Sequence, residues 1–348
     1  MNATAAVFLQ PGQPLEIRQL SLPSLAPGEA LVEIELCTVC GSDLHSVRGD
    51  RQVPSPSILG HEIVGSLKET NGDIFDLNGE RLTIGDRVSW SIAASCGQCF
   101  FCREGIPQKC TQLFKYGHQA LSDHPLGGGL ASHCHLARGT SLVRVPPSLP
   151  AEVACPANCA TATAAAALRS AGTISGRTVL IYGAGMLGLT AAAMARELGA
   201  PHVFVSDLNT ARCSLAERFG ATPSLELLRE ATQGRGADIA IDMSGSPAAM
   251  EDALSQLRIG GCLVLVGAVF PARPLSLPAD QLVRNLHRIE GVHNYTPADL
   301  QAALDFLSAN WERYPFADLV EREFPLTEIN EAIKVALEDS PIRVALRP

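Results

Sequence analysis

Val179-Leu180-Ile181-Tyr182-Gly183-Ala184-Gly185-Met186-Leu187-Gly188 lies near the middle of the chain. Three β-favouring apolar residues run directly into a G-x-G-x-x-G turn, and an Ala/Leu-rich helical pattern follows from Leu187 to Leu198. A buried parallel strand that turns onto a helix N-terminus directs unpaired amides and the helix dipole at one point, which is an anion site. Gly183 permits the tight turn, Gly185 lets a pyrophosphate approach the backbone, and Gly188 lets helix and strand pack closely. By itself the motif fits a plain glycine-rich turn equally well. The next apolar run, His202-Val203-Phe204-Val205-Ser206-Asp207, ends in an acid about 20 residues beyond the turn, where a carboxylate can take the adenosine ribose hydroxyls. An acid there repels a 2′-phosphate and favours NAD over NADP. The competing reading makes Asp207 a helix cap for the segment starting near Asn209. Met186, Leu187 and Arg212 are counted with Gly183, Gly185, Gly188 and Asp207 as cofactor-binding candidates.

The bulk composition sets bounds on this reading. The chain has 348 residues, enough for two domains with ample cores, and its 46% hydrophobic and 18% charged content describes a well-packed globular protein. A formal net charge of −9 argues against nucleic acid or an anionic membrane as partner. No basic flank precedes an apolar core at the start, and no apolar run suffices to span a bilayer. The expectation is a cytoplasmic protein. Eleven cysteines in such a chain point to metal and buried thiols rather than disulfides.

From Thr4 to Arg144 short alternating runs broken by Gly and Pro suggest a partly open antiparallel barrel. After Pro146, Pro147 and Pro150 the composition changes. Ala160 to Ala171 reads as a helix, and from Thr178 strands and helices alternate through Ala237–Asp242, Gly261–Val266 and His287–Val292. Leu300–Leu307 and Ile329–Leu337 read as helices returning to the first domain. No internal repeat, low-complexity tract or coiled coil is visible.

Cys96, Cys99, Cys102 and Cys110 form C-x-x-C-x-x-C-x7-C on a Gly/Pro-containing loop. Four thiolates so spaced can close a tetrahedral shell round Zn²⁺ at about 2.3 Å each, leaving no open position for chemistry. An iron–sulfur cluster is the competing reading. Upstream, Cys40-Gly41-Ser42-Asp43-Leu44-His45 follows a strand and Gly60-His61-Glu62 follows a Pro-containing loop. One thiolate and one imidazole at strand ends can supply two ligands of an open zinc site. Taken singly, Cys40 reads as a buried thiol and His61 as a surface histidine.

Together these segments, with Gly85-Asp86-Arg87-Val88 and the glycine turn, resemble the zinc-dependent medium-chain alcohol dehydrogenase family over nearly the whole chain. The resemblance implies an α/β protein: a GroES-like β-rich catalytic domain (1–158 and 296–348, with a structural zinc lobe at about 95–112) and a doubly wound parallel-sheet Rossmann domain (159–295) that binds NAD. It implies two zinc ions per subunit, one in the four-cysteine shell and one at Cys40, His61 and Cys159. Polyol-oxidising relatives carry Glu at the third position, so Cys159 leans towards the simple-alcohol branch. Ser42 becomes the hydroxyl that takes the alcohol proton, His45 passes it to solvent, and Asp43 and Glu62 orient His61 and tune the metal's charge. Thr163 is implied to face the nicotinamide and Arg343 to contact the cofactor phosphates; on sequence alone Arg343 is an ordinary surface cation.

The implied chemistry is hydride transfer between a small alcohol, or the corresponding carbonyl, and NAD(H), in a homodimer or homotetramer. Polyol-, threonine- and phosphonate-pathway dehydrogenases are subtypes of the same reading, and a run from Cys159 to Arg169 faintly resembles the last. No basic cluster can be placed in the pocket from sequence, so an anionic substrate gains no support there. Zinc-free quinone reductases lack these thiols, and a non-catalytic dinucleotide-binding protein would be expected to lose Ser42 and His45. Two departures from the family stand out. The stretch Glu69–Arg81 reads as an elongated hairpin, and Ile92 replaces an aromatic residue that narrows the pocket in relatives. Trp90, His118 or His124 are the residues that could refill that space.

Overall fold

The computed structural model describes Asn2–Pro348. The chain forms two compact units. One contains both ends, through Cys159 and again from Thr296; the other is Ala160–Tyr295.

The first unit is built on a seven-stranded sheet. Its order is Leu142–Arg144, Arg87–Trp90, Glu62–Thr70, Ala30–Val39, Arg343–Arg347, Val320–Pro325, with His133–Leu136 also paired to Ala30–Val39. Pairing is antiparallel, as the short punctuated runs suggest, except between the last two strands. Those two are parallel because the helix Ile329–Glu338 lies between them in sequence and carries the chain back to the starting edge. Ala30–Val39 is central and nearly all buried, with Leu31, Val32 and Leu36 at no more than 1% exposure. Register decides what meets at its end. Thr38 pairs with Glu62 on one side and Val39 with Val344 on the other, so residues 40, 61 and 343 arrive at one edge of the sheet. Asn158 closes this corner. Its carbonyl oxygen accepts from Ile63 N (3.3 Å) and its amide donates to the Trp90 carbonyl (2.9 Å), which ties the turn before Cys159 to both strands. The expected hairpin is present as Ile74–Phe75 paired with Arg81–Leu82.

The second unit is a five-stranded parallel sheet in the order His202–Ser206, Thr178–Tyr182, Ala237–Asp242, Leu257–Leu265, Arg288–Gly291. A sixth position is reduced to a single parallel bridge, Phe204 to Thr222, held by Thr222 N to Val203 O (2.8 Å) and Val205 N to Thr222 O (3.0 Å). With it the order is that of a doubly wound dinucleotide fold, whose ligands bind beyond the strand C-termini. The first strand is buried at every position, which is why it reads as a continuous apolar run rather than an alternation. Its helix begins at Met186, one residue earlier than the apolar pattern suggests, because Gly185 is the N-cap. No helix among the described residues is long and apolar enough to cross a membrane.

Candidate active site

Cys40 ends the central strand and begins the helix Gly41–Arg48. Asp43, 3% exposed, joins the two ligand loops. One oxygen accepts from Cys40 N (2.9 Å), the other accepts from Gly60 N (3.1 Å) and lies 3.5 Å from His61 Nδ1. Gly60 has φ +87°, and a Cβ there would stand 2.9 Å from the Leu130 nitrogen, so only glycine gives this approach. The other nitrogen of His61, Nε2, lies 3.3 Å from Ser42 Oγ. The Sγ atoms of Cys40 and Cys159 and one ring nitrogen of His61 lie within 4.8 Å of one another.

Behind this trio sits a buried ion pair. Glu62 is fully buried; it accepts from Thr38 Oγ1 (2.6 Å) and from Arg343 Nε (2.9 Å) and Nη2 (3.0 Å). The same Nη2 lies 3.9 Å from Cys40 Sγ. Arg343 is therefore no surface cation: it is 8% exposed, and Glu62 and the Ile342 carbonyl engage its guanidinium. The Cys159 hydrogen bond, then the Arg343 charge against the opposing effect of burial, hold the Cys40 thiol well below its ordinary value. Burial pulls the His61 ring down, but Asp43 and Cys40 outweigh it and raise it to about 10. Two thiols and an imidazole gathered within 4.8 Å, with the Cys40 thiol held towards its anion, form a donor set for a cation. Soft sulfur and imidazole, three donors with the Ser42 hydroxyl beside them, suit Zn²⁺.

The four thiols of Cys96, Cys99, Cys102 and Cys110 also fall within 4.8 Å of one another. Backbone amides point at the sulfurs: Cys96 N and Gln112 N each reach Cys110 Sγ at 3.3 Å. Amide hydrogen bonds from Thr111 and Cys102 pull Cys99 down to about 5, while desolvation and the neighbouring thiols push Cys102 up to about 11. So many thiols cannot all ionise together without a cation among them.

His45 stands one turn beyond Ser42, half-exposed, with Nδ1 3.1 Å from Asp50 Oδ2. Of the three residues named for refilling the pocket, two are engaged elsewhere. Trp90 is fully buried against Tyr116, and His124 stacks on His135 with ring centroids 4.0 Å apart. Only His118 is beside the ligand set, its ring 6.0 Å from that of His61. Two residues escaped the sequence reading. Arg51, tied by its amide to the His45 carbonyl (3.2 Å), feels the charges of Asp43, Cys40 and Cys159. Lys115, paired with Ala93, feels those of Arg51, Cys159 and Cys40. These are the basic residues that could not be placed here from the sequence. Neither residue sits in a motif, so only folding brings them to the site.

In the second unit Gly183 has φ +98°, a Cβ on Gly188 would collide with the Gly183 carbonyl oxygen, and a Cβ on Gly185 would meet nothing. The space above Gly185, the N-cap of Met186–Glu197, is the feature an anion requires. Met186 is buried and Leu187 half-buried. Asp207 accepts from Ala184 N (2.6 Å) and Asn209 N (2.7 Å), so it braces the glycine turn; the helix cap beside it is Asn209, which accepts from Ala211 N and Arg212 N. Thr163 lies half-buried on the helix Ala160–Ala171.

Residues 26–147 match the family model for the alcohol dehydrogenase GroES-like domain, and residues 187–309 that for zinc-binding dehydrogenases. An alcohol dehydrogenase of Geobacillus stearothermophilus is 34% identical over 95% of this chain and 94% of its own.

The chain belongs to the zinc-dependent medium-chain alcohol dehydrogenase family.

The crystal structure of an alcohol dehydrogenase from Thermotoga maritima superposes with a TM-score of 0.95 at 33% identity, covering 100% of both chains. A sorbitol dehydrogenase of Bacillus subtilis (strain 168) is 29% identical over 97% of this chain and 94% of its own. This enzyme is accordingly an oxidoreductase acting on CH–OH donors, a zinc protein that exchanges hydride between an alcohol or carbonyl and a nicotinamide dinucleotide.

Proposed function

We propose that the enzyme oxidises a small alcohol with NAD, using one zinc ion at Cys40, His61 and Cys159 and a second, structural one at Cys96, Cys99, Cys102 and Cys110. The observation that carries this reading is the three-donor cluster with its ligating atoms within 4.8 Å and the Ser42 hydroxyl 3.3 Å from His61 Nε2. Zinc at the three-donor site supplies a Lewis acid that lowers the alcohol's pKa, and the nicotinamide supplies the hydride acceptor. Ser42 Oγ takes the substrate's hydroxyl proton, and His45, oriented through Nδ1 by Asp50, hands it to solvent. Asp43 orients the His61 ring from the side away from Ser42. The Glu62–Arg343 pair sets the charge behind Cys40 without adding a net charge of its own.

Gly183, Gly185, Met186, Leu187 and Gly188 cradle the pyrophosphate, Asp207 takes the adenosine ribose and disfavours a 2′-phosphate, and Arg212 flanks it. Thr163 addresses the nicotinamide. Arg343 serves the cofactor only through the ligand cluster, since Glu62 takes the Nε–Nη2 edge of its guanidinium and the Ile342 carbonyl accepts from Nη1. The cytoplasm suits a chain in which every cysteine is unpaired. The assembly is a homodimer or homotetramer, which light scattering distinguishes.

The test is NADH formation by zinc-replete enzyme over a panel of alcohols, run beside metal analysis of the same sample. Two zinc ions per chain are expected, one for each donor group. A single zinc, or iron with visible absorbance, overturns one of the two sites. Asp207→Ala is expected to raise the NADP-over-NAD ratio of kcat/KM by about tenfold or more; a wild type that already prefers NADP refutes the Asp207 assignment.

A further inference from the structure

Beside the ligand cluster, and on the same unit, lie two cations that no carboxylate contacts among the described residues. Arg51 follows the helix that carries Ser42 and His45 and is fixed to it by the bond from its amide to the His45 carbonyl. Lys115 lies on the strand Phe114–Lys115, and its carbonyl accepts from His118 N (3.2 Å) and Gln119 Nε2 (3.1 Å). Both side chains are half-buried, and among the described residues neither makes a hydrogen bond or an ion pair. The half-buried Arg87 and Arg258 and the buried Arg343 are matched, with Glu35, Asp238 and Glu62 respectively. Burial, and then the Arg51 charge, pull Lys115 down to about 8. His118 offers no relief. Its Nδ1 donates to the Tyr116 carbonyl (2.7 Å), and burial beside Lys115 and Arg51 keeps the ring neutral.

The negative charges that do reach the pair belong to Cys40 and Cys159, with Asp43 acting on Arg51, while Lys109 adds a further positive charge near Lys115. A divalent cation on two thiolates and a neutral imidazole cancels the thiolate charge, and Arg343 already cancels Glu62. Asp43 then offsets at most one of the two cations, in a chain whose overall charge of −9 would otherwise favour filling such a spot with a carboxylate. Retaining two unmatched cations next to the reacting centre costs folding free energy unless a ligand supplies the anion.

We propose that Arg51 and Lys115 hold an oxyanion on the substrate, so that the alcohol this enzyme takes carries a carboxylate, phosphate or phosphonate group. The inference rests on the dehydrogenase reading above and names the substrate class for that same site. Arg51 offers a planar fork to two oxygens and Lys115 a point charge.

The experiment compares kcat/KM for 1-propanol, 3-hydroxypropanoate and 2-hydroxyethylphosphonate with zinc-replete enzyme at saturating NAD. At least one anionic alcohol is expected to exceed 1-propanol by about tenfold to a hundredfold, the scale of one charge-assisted hydrogen bond. Arg51→Gln and Lys115→Met should each carry that ratio towards unity. The better of the two anions identifies the head group. In parallel, methylphosphonate and acetate are titrated calorimetrically into the full-length protein; binding of at least one is expected, weakened in Lys115→Met. Equal or better use of 1-propanol overturns the proposal. So does a ratio unmoved by either substitution, or a change confined to KM for NAD, which would assign the pair to the cofactor. If no alcohol is turned over, the dehydrogenase reading fails. The anion site still stands if methylphosphonate or acetate binds wild type and not Lys115→Met, and falls if neither binds.

Discussion

The four-cysteine lobe and the Cys40–His61–Cys159 cluster each gather their donors within 4.8 Å, but they are stabilised by different parts of the chain. The lobe is local. Its thiols lie on one loop, and backbone amides of Cys96, Cys102, Thr111 and Gln112 point at the sulfurs. The cluster is drawn from three distant segments, and its charges are answered by side chains: Asp43 beneath His61, and Glu62 with Arg343 behind Cys40. A site held by its own backbone tolerates change elsewhere in the molecule. A site held by buried charges depends on every partner being present.

Substitutions can test that contrast. The largest effect belongs to Cys99→Ser. Structural zinc sites contribute folding free energy directly, on the order of 10 kcal/mol in small zinc domains, so this change should impair solubility or lower the melting temperature sharply. Normal thermal stability would make the lobe an ornament of the loop. Next comes Arg343→Met, which leaves Glu62 charged and buried without its partner and should cost about 3–5 kcal/mol. Denaturant titration measures it, and the double variant Arg343→Met/Glu62→Gln should recover part of the loss. A stable Arg343→Met enzyme with a raised KM for NAD would return Arg343 to the cofactor phosphates.

Ser42→Ala should leave both metal sites filled and lower turnover by roughly 10²–10⁴, the usual range for a general acid–base group. Steady-state kinetics with zinc quantified in the same sample separates this from metal loss, and an active variant with an unchanged pH profile removes Ser42 from the proton path. The smallest effect is a difference in thiol reactivity. In chelated protein Cys99, held down to about 5, is a thiolate at neutral pH, whereas Cys102, pushed up to about 11, stays protonated. Iodoacetamide at pH 7 should therefore label Cys99 first, read by peptide mass spectrometry. Because the folded-state value of Cys99 is depressed, its stabilising contribution is full above the ordinary thiol value and fades as pH falls through about 5. Equal labelling of the two would mean that the amides do not select between them.

The glycine turn, the thiol spacing and the run ending at Asp207 were legible in the chain because each depends on neighbours a few positions away. Gly183 needs its positive φ and Gly188 its missing Cβ for reasons internal to one strand–turn–helix unit. The four thiols likewise meet because one loop can bend only so far. Other features were misjudged where long-range packing decides. Trp90 and His124 have the chemistry of pocket residues, yet the core takes Trp90, whose large aromatic surface is fully buried, and His135 holds the half-buried His124 by stacking.

What the sequence determined by itself was the class of the two units and the grouping of the four thiols on one loop, through patterns that repeat over a turn or a strand. What only the tertiary structure decided was charge. Arg343 meets Glu62 across 281 positions because Val344 pairs with Val39 and Thr38 with Glu62. Arg51 and Lys115 come to the same corner by a helix end and a two-residue strand. Electrostatic energy depends on distance through space and on burial, and neither is written in the spacing of residues along a chain.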